Sequence, residues 1–372
     1  VVIDENNRIW DILYTQKTEN NIMSNVEVYD GILCPGFINS HCHLELSYLH
    51  HRFISQTKMT GFLEQMFEQR DLFDKNFIIE SAEKWDRQMY ENGIVAVGDV
   101  VNTSDTLEVK MNSDILYINF VEIFGLQGEK AERVLKKAID IYRKFTDKNM
   151  RASIVPHSPY SLSEELWKLF FDVLISNHFT CKIHSFHFME SEAEKNMMTN
   201  KPSELKDYFV KYLKFEEENL SHLSEKFYTR LKNFLELSNS LLLVHNTFID
   251  QNDFNILKDY KEKIYFCLCP NANLFIENRL PDVCLIKEFS DNICIGTDSL
   301  ASNFNLSIID EMNVLMKNFK IEIGDVLKWA TSNGAKALKI DNQFGYIKKG
   351  FEIPLNIIEI NDNQIVLNKV II

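Results

Sequence analysis

The sequence carries too little positive charge to suit a polyanionic partner. It has 40 lysines and arginines against 54 acidic residues, a net charge of -14, and no basic block long enough to form a positive face. We therefore expect neither nucleic acid nor an anionic membrane surface as a partner, and a small molecule is the better prediction. The chain also lacks an apolar run of about 18 residues and a secretory leader at its start, which predicts a cytoplasmic protein.

The sequence also lacks the cysteine pattern of a disulfide scaffold. Its seven cysteines are an odd number without framework spacing in a chain of 372 residues, which is typical of a reducing compartment. Cys267 and Cys269 are a weak metal signal, because two alternate residues of a strand give the same spacing. Hydrophobic residues make up 45% of the chain and charged residues 25%, ordinary values for a folded protein, so disorder is not expected.

Short apolar runs alternate with amphipathic segments along most of the chain. Eight runs have the character of buried strands: 32–38, 93–101, 115–124, 152–156, 181–188, 241–244, 264–269 and 293–296. Near-continuous apolar strands followed by helices are typical of a parallel sheet covered by helices. Eight such units close into a barrel more simply than they form an open sheet. The pattern therefore predicts an α/β fold with a (β/α)8 barrel, and an open doubly wound sheet is the alternative.

The two ends of the chain carry a different pattern. Residues 1–33 and 345–372 contain short β-branched or alternating runs that favour small strands, and these strands could pair across the termini. The predicted division is a composite β-sandwich from 1–33 and 345–372 and a barrel from 34–344. The segment 189–240, between the fifth and sixth predicted strands, is longer than the other connections between strands. It indicates a helical excursion beside the mouth of the site, a contact surface or a solvated surface insertion.

Histidine or aspartate residues follow five of the predicted strands. The C-terminal strand ends form the active face of a barrel, so we expect these side chains to meet there. His41 and His43 stand one residue apart, which lets both imidazoles point to the same side of an extended backbone. Any one such residue could be an ordinary polar residue near a strand end, but five strands that end in His or Asp favour a metal site. The residues at the other strand ends are His157, His187, His245 and Asp298.

Five spaced motifs resemble the amidohydrolase superfamily. They are PGFINSHCH at 35–43, HFMES at 187–191, VHNT at 244–247, GTDS at 296–299 and NGAKAL at 333–338. Within the superfamily they are similar to the branch of deaminases and chlorohydrolases that act on nitrogen heterocycles. The resemblance covers almost the whole chain. It implies a distorted eight-stranded α/β barrel with a small β-sandwich built from both chain ends.

The resemblance also implies the chemistry of the site. It implies one divalent metal ion per chain, zinc first and iron second. The ligands that it implies are His41, His43, His187 and Asp298. The catalytic residues that it implies are Glu190, His245 and Asp298, and the residue that faces the substrate is His157.

Residues beside these motifs bear on the metal ligands, the number of metal ions and the substrate contacts. Of the two histidines in the fifth strand, His187 alone stands three residues before a glutamate, so His184 is expected to be packed or to support the site. The fourth strand ends in His157 without the lysine that bridges two metals in some relatives, which predicts a mononuclear site. The arginine that the family often has after the seventh strand is missing from 269–274. Substrate contacts from that loop therefore stay open.

These residues predict a metal-dependent hydrolytic deaminase of an aminated heterocycle. A bound metal makes hydroxide available near neutral pH, and carboxylates and histidines can move the protons. His157 and aromatic residues near strand ends, such as Phe124 and Phe188, would suit a base that carries a sugar. The resemblance implies the same class, deaminases of adenine nucleosides such as S-adenosylhomocysteine, methylthioadenosine and aminofutalosine, so the predicted substrate is a 6-aminopurine nucleoside. His43-Leu44-Glu45 superficially suggests a different deaminase fold, but the Pro-Cys-x-x-Cys motif of that fold is absent.

Several alternatives remain at this point. A guanine or pterin deaminase needs the same residues, and so does a triazine chlorohydrolase or a cyclic amidohydrolase. A metal-free structural relative is disfavoured because all the implied ligands are present. A homo-oligomer is left open by the sequence.

Overall fold

The strands of the structure follow the apolar runs of the sequence. The computed structural model describes residues 1–13, 26–176, 181–215 and 217–371, with the side chains of 217–223 excepted. In chain order the strands are β1 (Val2–Ile3), β2 (Ile9–Asp11), β3 (Ile32–Pro35), β4 (Phe37–Cys42), β5 (Ile94–Val101), β6 (Leu116–Ile123), β7 (Arg151–Pro156), β8 (Ile183–Phe188), β9 (Ser240–His245), β10 (Ile264–Leu268), β11 (Ile293–Ile295), β12 (Leu355–Asn361) and β13 (Gln364–Ile371).

Helices connect most of these strands. Several begin at an Asp or Ser whose side chain accepts a backbone N–H, such as Asp74 before the second helix and Ser163 before the fifth. Short 3-10 turns occupy Leu44–Leu49, Gly128–Lys130 and Lys258–Tyr260. The α-helices are α1 (Lys58–Gln69), α2 (Lys75–Glu91), α3 (Leu107–Met111), α4 (Ala131–Thr146), α5 (Glu164–Ile175), α6 (Glu192–Met198), α7 (Glu204–Leu213), α8 (Glu217–Leu237), α9 (Gln251–Leu257), α10 (Pro270–Glu277), α11 (Val283–Phe289), α12 (Ile308–Asn318), α13 (Ile323–Lys328) and α14 (Gly334–Ala337), with a π-helical turn, Trp329–Asn333, between the last two.

Two four-stranded parallel sheets, β4-β5-β6-β7 and β8-β9-β10-β11, form the centre of the fold. Hydrogen bonds join their edges on both sides. The His187 N–H donates to the His157 carbonyl beside β7 and β8 at 2.9 Å, and the Thr297 and Asp298 N–H groups donate to the His41 carbonyl of β4 at 2.9 and 3.0 Å. The sheets thus close into one eight-stranded barrel. The predicted α/β barrel is confirmed, and the open sheet is excluded.

The first predicted strand, 32–38, is wrong in one respect. The structure divides it into β3, which pairs antiparallel with β12, and β4, which belongs to the barrel. The chain changes sheets at Gly36, where a Cβ atom would lie 2.1 Å from Val95 Cγ1. Both strands are apolar, so the sequence pattern runs through the break without a signal. The other seven barrel strands match their predicted runs to within two residues at each end.

The two ends of the chain meet in small antiparallel sheets. β1 pairs with β2, and β12 lies between β3 and β13. Ile9, Phe351 and Leu355 form a small core there, and the Ile9 N–H donates to the Phe351 carbonyl at 2.9 Å. Strands from both termini therefore contribute to one region. The exact domain boundaries at 33 and 345 stay a prediction, and residues 14–25 and 372 lie outside the described part.

The described residues of the long connection, 189–215 and 217–240, include the helices α6, α7 and α8. Phe209 of α7 lies with its ring 6.3 Å from that of Tyr160 and 6.4 Å from that of Phe124, both close to the C-terminal strand ends. Of the predicted alternatives, the structure favours the helical excursion beside the mouth. No described helix combines the length and the apolar character needed to cross a membrane.

A buried ion pair holds the segment that follows the two histidines of β4. Asp99 of β5 accepts a hydrogen bond from the Leu44 N–H at 2.7 Å, and its other carboxylate oxygen contacts Lys110 Nζ. Lys110 also donates to Asn119 Oδ1 at 2.8 Å, and the side chains of the ion pair are fully buried. Because Leu44 follows His43 directly, this pair fixes the path of the chain beside the second histidine.

We expect Lys110→Met to lower the free energy of unfolding by about 3–5 kcal/mol, because it leaves a buried carboxylate without its counter-charge. Chemical denaturation followed by circular dichroism measures the loss. Lys75→Met is the matched control, since Lys75 and Asp105 form a more exposed pair at 2.7 Å and such pairs contribute about 0–1 kcal/mol. Equal unfolding midpoints for Lys110→Met and the wild type would contradict a structural role of the buried pair.

Candidate active site

Three donor atoms converge at one end of the barrel. His41 lies in β4 and His43 directly after it, and their Nε2 atoms are 3.2 Å apart. Asp298 Oδ1 lies 3.5 Å from His41 Nε2 and 3.3 Å from His43 Nε2. In a tetrahedral zinc site with bonds of about 2.0–2.1 Å, ligand atoms are about 3.3 Å apart. These three atoms therefore have the spacing of a metal-binding set.

Two further imidazoles complete the cluster. The ring of His187, from β8, has its centroid 5.0 Å from that of His41, and the ring of His245, from the end of β9, lies 5.4 Å from that of His187. Donor atoms of His41, His187, His245 and Asp298 all lie within 4.8 Å of one another. The structure thus brings every predicted ligand and the predicted catalytic His245 to one place. Which of the five side chains bind the metal stays a prediction.

The surroundings keep two of the predicted ligands neutral. His187 Nδ1 donates to the His157 carbonyl at 3.1 Å, which leaves Nε2 as the free ligand atom. Burial lowers the pKa of His187 well below its ordinary value. Burial also lowers the pKa of His43, to about 4. Neutral imidazole is the form that binds a metal ion, so both rings are prepared for that role.

Asp298 is held in its ionised form by its neighbours. Burial alone would raise the pKa of the carboxyl, but the hydrogen bond from His41 and the nearby imidazoles outweigh burial and hold that pKa well below its ordinary value. Ser302 Oγ donates to the second carboxylate oxygen. The Asp298 backbone has a φ of +58°, which non-glycine residues adopt rarely. The residue is therefore fixed both in charge and in orientation.

The predicted acid-base residues face each other beside the cluster. Glu190 Oε1 lies 3.4 Å from His245 Nε2, and both side chains are buried. Burial, with the charge of Asp298 second, raises the pKa of Glu190 to about 8, so its carboxyl is mostly protonated at pH 7. His245 Nδ1 donates to Asn273 Oδ1 at 2.9 Å, which makes Nε2 the acceptor of the ring. That buried Nε2 has no hydrogen-bond partner among the described residues.

His157, the predicted substrate residue, belongs to an ion pair. Its Nδ1 lies 2.8 Å from Glu122 Oε1, and its ring stacks on His187 with centroids 4.1 Å apart. Burial lowers the pKa of His157, but the charge and hydrogen bond of Glu122 outweigh burial and raise that pKa to about 9. Glu122, His157 and His187 could hold a metal by distance alone. However, His187 Nδ1 already donates to a carbonyl, so the group is better explained as an ion pair.

The two aromatic residues predicted to suit a substrate differ in their positions. Phe124 is 41% exposed, and its ring lies 6.2 Å from that of His157, which places it at the mouth. Phe188 is fully buried and stacks on Phe227 with ring centroids 5.8 Å apart. The prediction is wrong for Phe188, because side chains alternate along a strand and Phe188 has the face opposite that of His187.

Two other residues take the structural roles expected for them. His184 is buried in β8, where its Nδ1 lies 2.9 Å from Ser238 Oγ and its ring 4.6 Å from that of Phe234. Cys267 is buried in β10, as expected for a strand residue, and all seven cysteines are free thiols.

Three residues of the site have no counterpart in the sequence predictions. Glu122 lies near the C-terminal end of the third barrel strand, and the rule that identified the histidines would have found it if it had been applied to every carboxylate. Asn273 lies in α10, in the segment where the family often has arginine, and its contact with His245 joins this helix to the end of β9. Glu194 contacts the backbone of Glu190. Neither Asn273 nor Glu194 leaves a local pattern that marks it.

Comparisons with known proteins agree with this geometry. The sequence pattern of the Amidohydrolase family matches residues 32–371. An adenosine deaminase of Helicobacter pylori is 24% identical over 344 residues, which cover 90% of this chain and 80% of the relative. A 5-methylthioadenosine/S-adenosylhomocysteine deaminase of Clostridium tetani is 25% identical over 349 residues, which cover 88% of this chain and 72% of the relative.

A solved structure has the same fold. The crystal structure of Helicobacter pylori aminofutalosine deaminase in complex with methylthio-coformycin superposes with a TM-score of 0.74 at 22% identity, covering 89% of this chain and 79% of that one. The family match extends through both halves of the barrel and through the sheet formed by β3, β12 and β13. Because it spans so much of the chain, this protein belongs to the amidohydrolase family.

Proposed function

We propose that this chain is a metal-dependent hydrolytic deaminase of an aminated heterocycle. The observation that carries the proposal is the position of the buried Glu190 carboxyl, 3.4 Å from His245 Nε2 and beside the cluster of histidines and aspartate. A deaminase needs an activated water on one side of the ring carbon and a proton donor for the ring nitrogen. These side chains can supply both.

We infer that the cluster holds one divalent metal ion, with zinc the first choice and iron the second. The amidohydrolase family is metal-dependent. The spacing of the donor atoms supports a cation here, and zinc prefers nitrogen and oxygen donors with one open position. His245 Nε2, which has no hydrogen-bond partner among the described residues, can hold a water molecule at that position. When bound, the ion would lower the pKa of a water molecule toward neutrality. The ligands that we propose are His41, His43, His187 and Asp298.

Asp298 and His245 would orient and deprotonate the attacking water. Asp298 is ionised and can take one proton from the water. His245 Nε2 can accept a hydrogen bond from the remaining O–H, because Nδ1 already donates to Asn273. The oxygen then adds to the ring carbon that carries the amino group.

Glu190 would move the remaining protons. Its neutral carboxyl donates a proton to the ring nitrogen next to the carbon under attack. The carboxylate that results takes the hydroxyl proton of the adduct and passes it to the amino group. The carbon–nitrogen bond then breaks, ammonia leaves and an oxo group remains. The proton held by Asp298 returns Glu190 to its neutral form, so the cycle is balanced.

The substrate that we propose is a 6-aminopurine nucleoside of the adenosine, S-adenosylhomocysteine, methylthioadenosine or aminofutalosine type. Relatives that act on adenosine and on 5-methylthioadenosine or S-adenosylhomocysteine support this class. Phe124 at the mouth offers an exposed ring, and His157 with Glu122 offers polar contacts for a sugar. Guanine or pterin deamination is the nearest rival. A triazine chlorohydrolase or cyclic amidohydrolase would use the same activated water.

We also propose a cytoplasmic location, which suits an enzyme whose seven cysteines are free thiols. A small-molecule substrate is the expected partner. A homo-oligomer remains open, and gel filtration with light scattering would decide it.

We expect about one divalent metal ion per chain in protein purified without added metal, and we expect His187→Ala to lose most of it. His184→Gln is the matched control, because His184 lies in the same strand but bonds to Ser238. Elemental analysis measures both contents. Two metals per chain, or full metal content in His187→Ala, would contradict the proposed site.

We expect Glu190→Gln to lower kcat by roughly two to four orders of magnitude while fold and metal content stay unchanged, since it removes the proton carrier. Steady-state ammonia release measures the effect. Glu192→Gln is the control, because that side chain is exposed and only two residues away. Near wild-type turnover in Glu190→Gln would remove Glu190 from the mechanism.

We expect the ultraviolet shift from adenine to hypoxanthine with at least one of adenosine, methylthioadenosine, S-adenosylhomocysteine or aminofutalosine. Guanine, a pterin and a chlorotriazine are tested in parallel for release of ammonia or chloride. Absence of the shift with every nucleoside, together with ammonia from guanine or the pterin, would reject the nucleoside class and retain the deaminase mechanism. Chloride release alone would reject both.

A further inference from the structure

Glu194 of α6 binds the backbone of the residue that we propose as the proton carrier. One carboxylate oxygen, Oε1, accepts the Met189 N–H at 3.0 Å, and the other, Oε2, accepts the Glu190 N–H at 2.8 Å. Glu194 is only 1% exposed. A buried carboxyl therefore holds two consecutive amides where β8 has ended.

These two amides lie in a turn that needs support. Met189 has a φ of +49°, a left-handed conformation that is strained in a non-glycine residue. The turn directs the chain from His187, inside the barrel, to Glu190 and α6. Without an acceptor, both N–H groups would be buried donors without a partner, which would destabilise the turn. The Glu194 carboxyl thus stabilises the conformation on which the position of Glu190 depends.

Helix α6 is anchored in a way that fixes this carboxyl. Ser191 caps the helix, because its Oγ accepts the Glu194 N–H at 3.1 Å. Glu194 is the third residue of the helix, the position of the acid in a capping box. Its carboxyl does not bond to the cap residue Ser191 but to the backbone of the two residues before it, Met189 and Glu190. The next residue, Lys195, lies 2.8 Å from Asp250 and 2.7 Å from Asp253, which follow β9.

The anchoring links α6 to both strand ends that carry acid-base residues. β8 leads to Glu190, and β9 ends in His245. The Phe248 N–H also donates to the Met189 carbonyl at 2.8 Å, which ties the two strand ends directly. Helix α6 therefore sets the position of the chain after β8 relative to the chain after β9. The side chains of Glu190 and His245 meet between these two segments.

We propose that Glu194 is a positioning residue, which holds the Glu190 carboxyl at its working distance from His245. It acts through Glu190 and does not touch the substrate. The proposal rests on the proposed function, because it takes Glu190 as the proton carrier.

The test is Glu194→Gln, which replaces one acceptor oxygen with an NH2 group that cannot accept a backbone N–H. We expect kcat to fall about 10- to 100-fold, while KM changes less than about twofold and metal content stays the same. Glu192→Gln, on the same helix but exposed, is the control and should keep wild-type values. If Glu194→Gln does not fold, Glu194→Asp serves, because its shorter side chain cannot reach both amides.

A double variant separates positioning from general stability. If Glu194 acts through Glu190, Glu194→Gln should cause little further loss of kcat in the Glu190→Gln background. Effects that multiply in the double variant, or wild-type kcat in Glu194→Gln, would overturn the proposal.

Hydrogen exchange gives a readout that does not depend on activity. The Met189 and Glu190 amides should exchange faster in Glu194→Gln than in the wild type, while protection of the barrel strands is unchanged. Unchanged exchange at both amides would overturn the proposal. Failure of the proposed function has a different signature: wild-type protein would release no ammonia from any aminated heterocycle, whatever the exchange at these amides.

Discussion

The structure depends on one pair of hydrogen bonds, from the Thr297 and Asp298 N–H groups to the His41 carbonyl. The bonds close the barrel between its first and last strands. They also bring the Asp298 carboxylate within 3.5 Å of the His41 imidazole, so closure of the fold and assembly of the site are the same event. Gly296 makes this approach feasible, because a Cβ atom there would lie 2.8 Å from the His41 backbone. The donor set therefore cannot form in a chain whose barrel is open.

Strained backbone recurs where the functional side chains leave their strands. Met189, His245 and Asp298 have φ values of +49°, +76° and +58°. Each position follows or ends a barrel strand, and each costs free energy that a relaxed loop would not. The surrounding contacts offset this cost: the Glu194 carboxyl accepts the Met189 N–H, and Ser302 donates to the Asp298 carboxylate. These contacts thus stabilise backbone conformations that point the functional side chains in directions that a regular strand does not allow.

The features of the fold and the site that could be predicted are those that depend on residues close together in the sequence. A buried parallel strand is apolar along its whole length, so the barrel strands were visible in the sequence, as were polar residues near their C-terminal ends, such as His41 and Asp298. The change of sheet at Gly36 was not visible, because β3 and β4 are both apolar. The roles of Asn273 and Glu194 depend on contacts between segments whose distance is set by folding. Phe188 is an error of another kind, because alternation along β8 already places it on the face opposite that of His187.

Charge connects the stability of the site with its chemistry. Asp298 is ionised in a buried place, where the imidazoles of His43 and His187 are neutral. A buried charge is costly unless it is paired, and a divalent cation bound by these side chains would offset it. The charge of Asp298 is also the second cause of the raised pKa of Glu190. A cation that neutralises Asp298 would weaken this repulsion and so lower the pKa of Glu190, which favours a carboxyl that both gives and takes a proton. The ion that balances the buried charge would therefore also adjust the proton carrier.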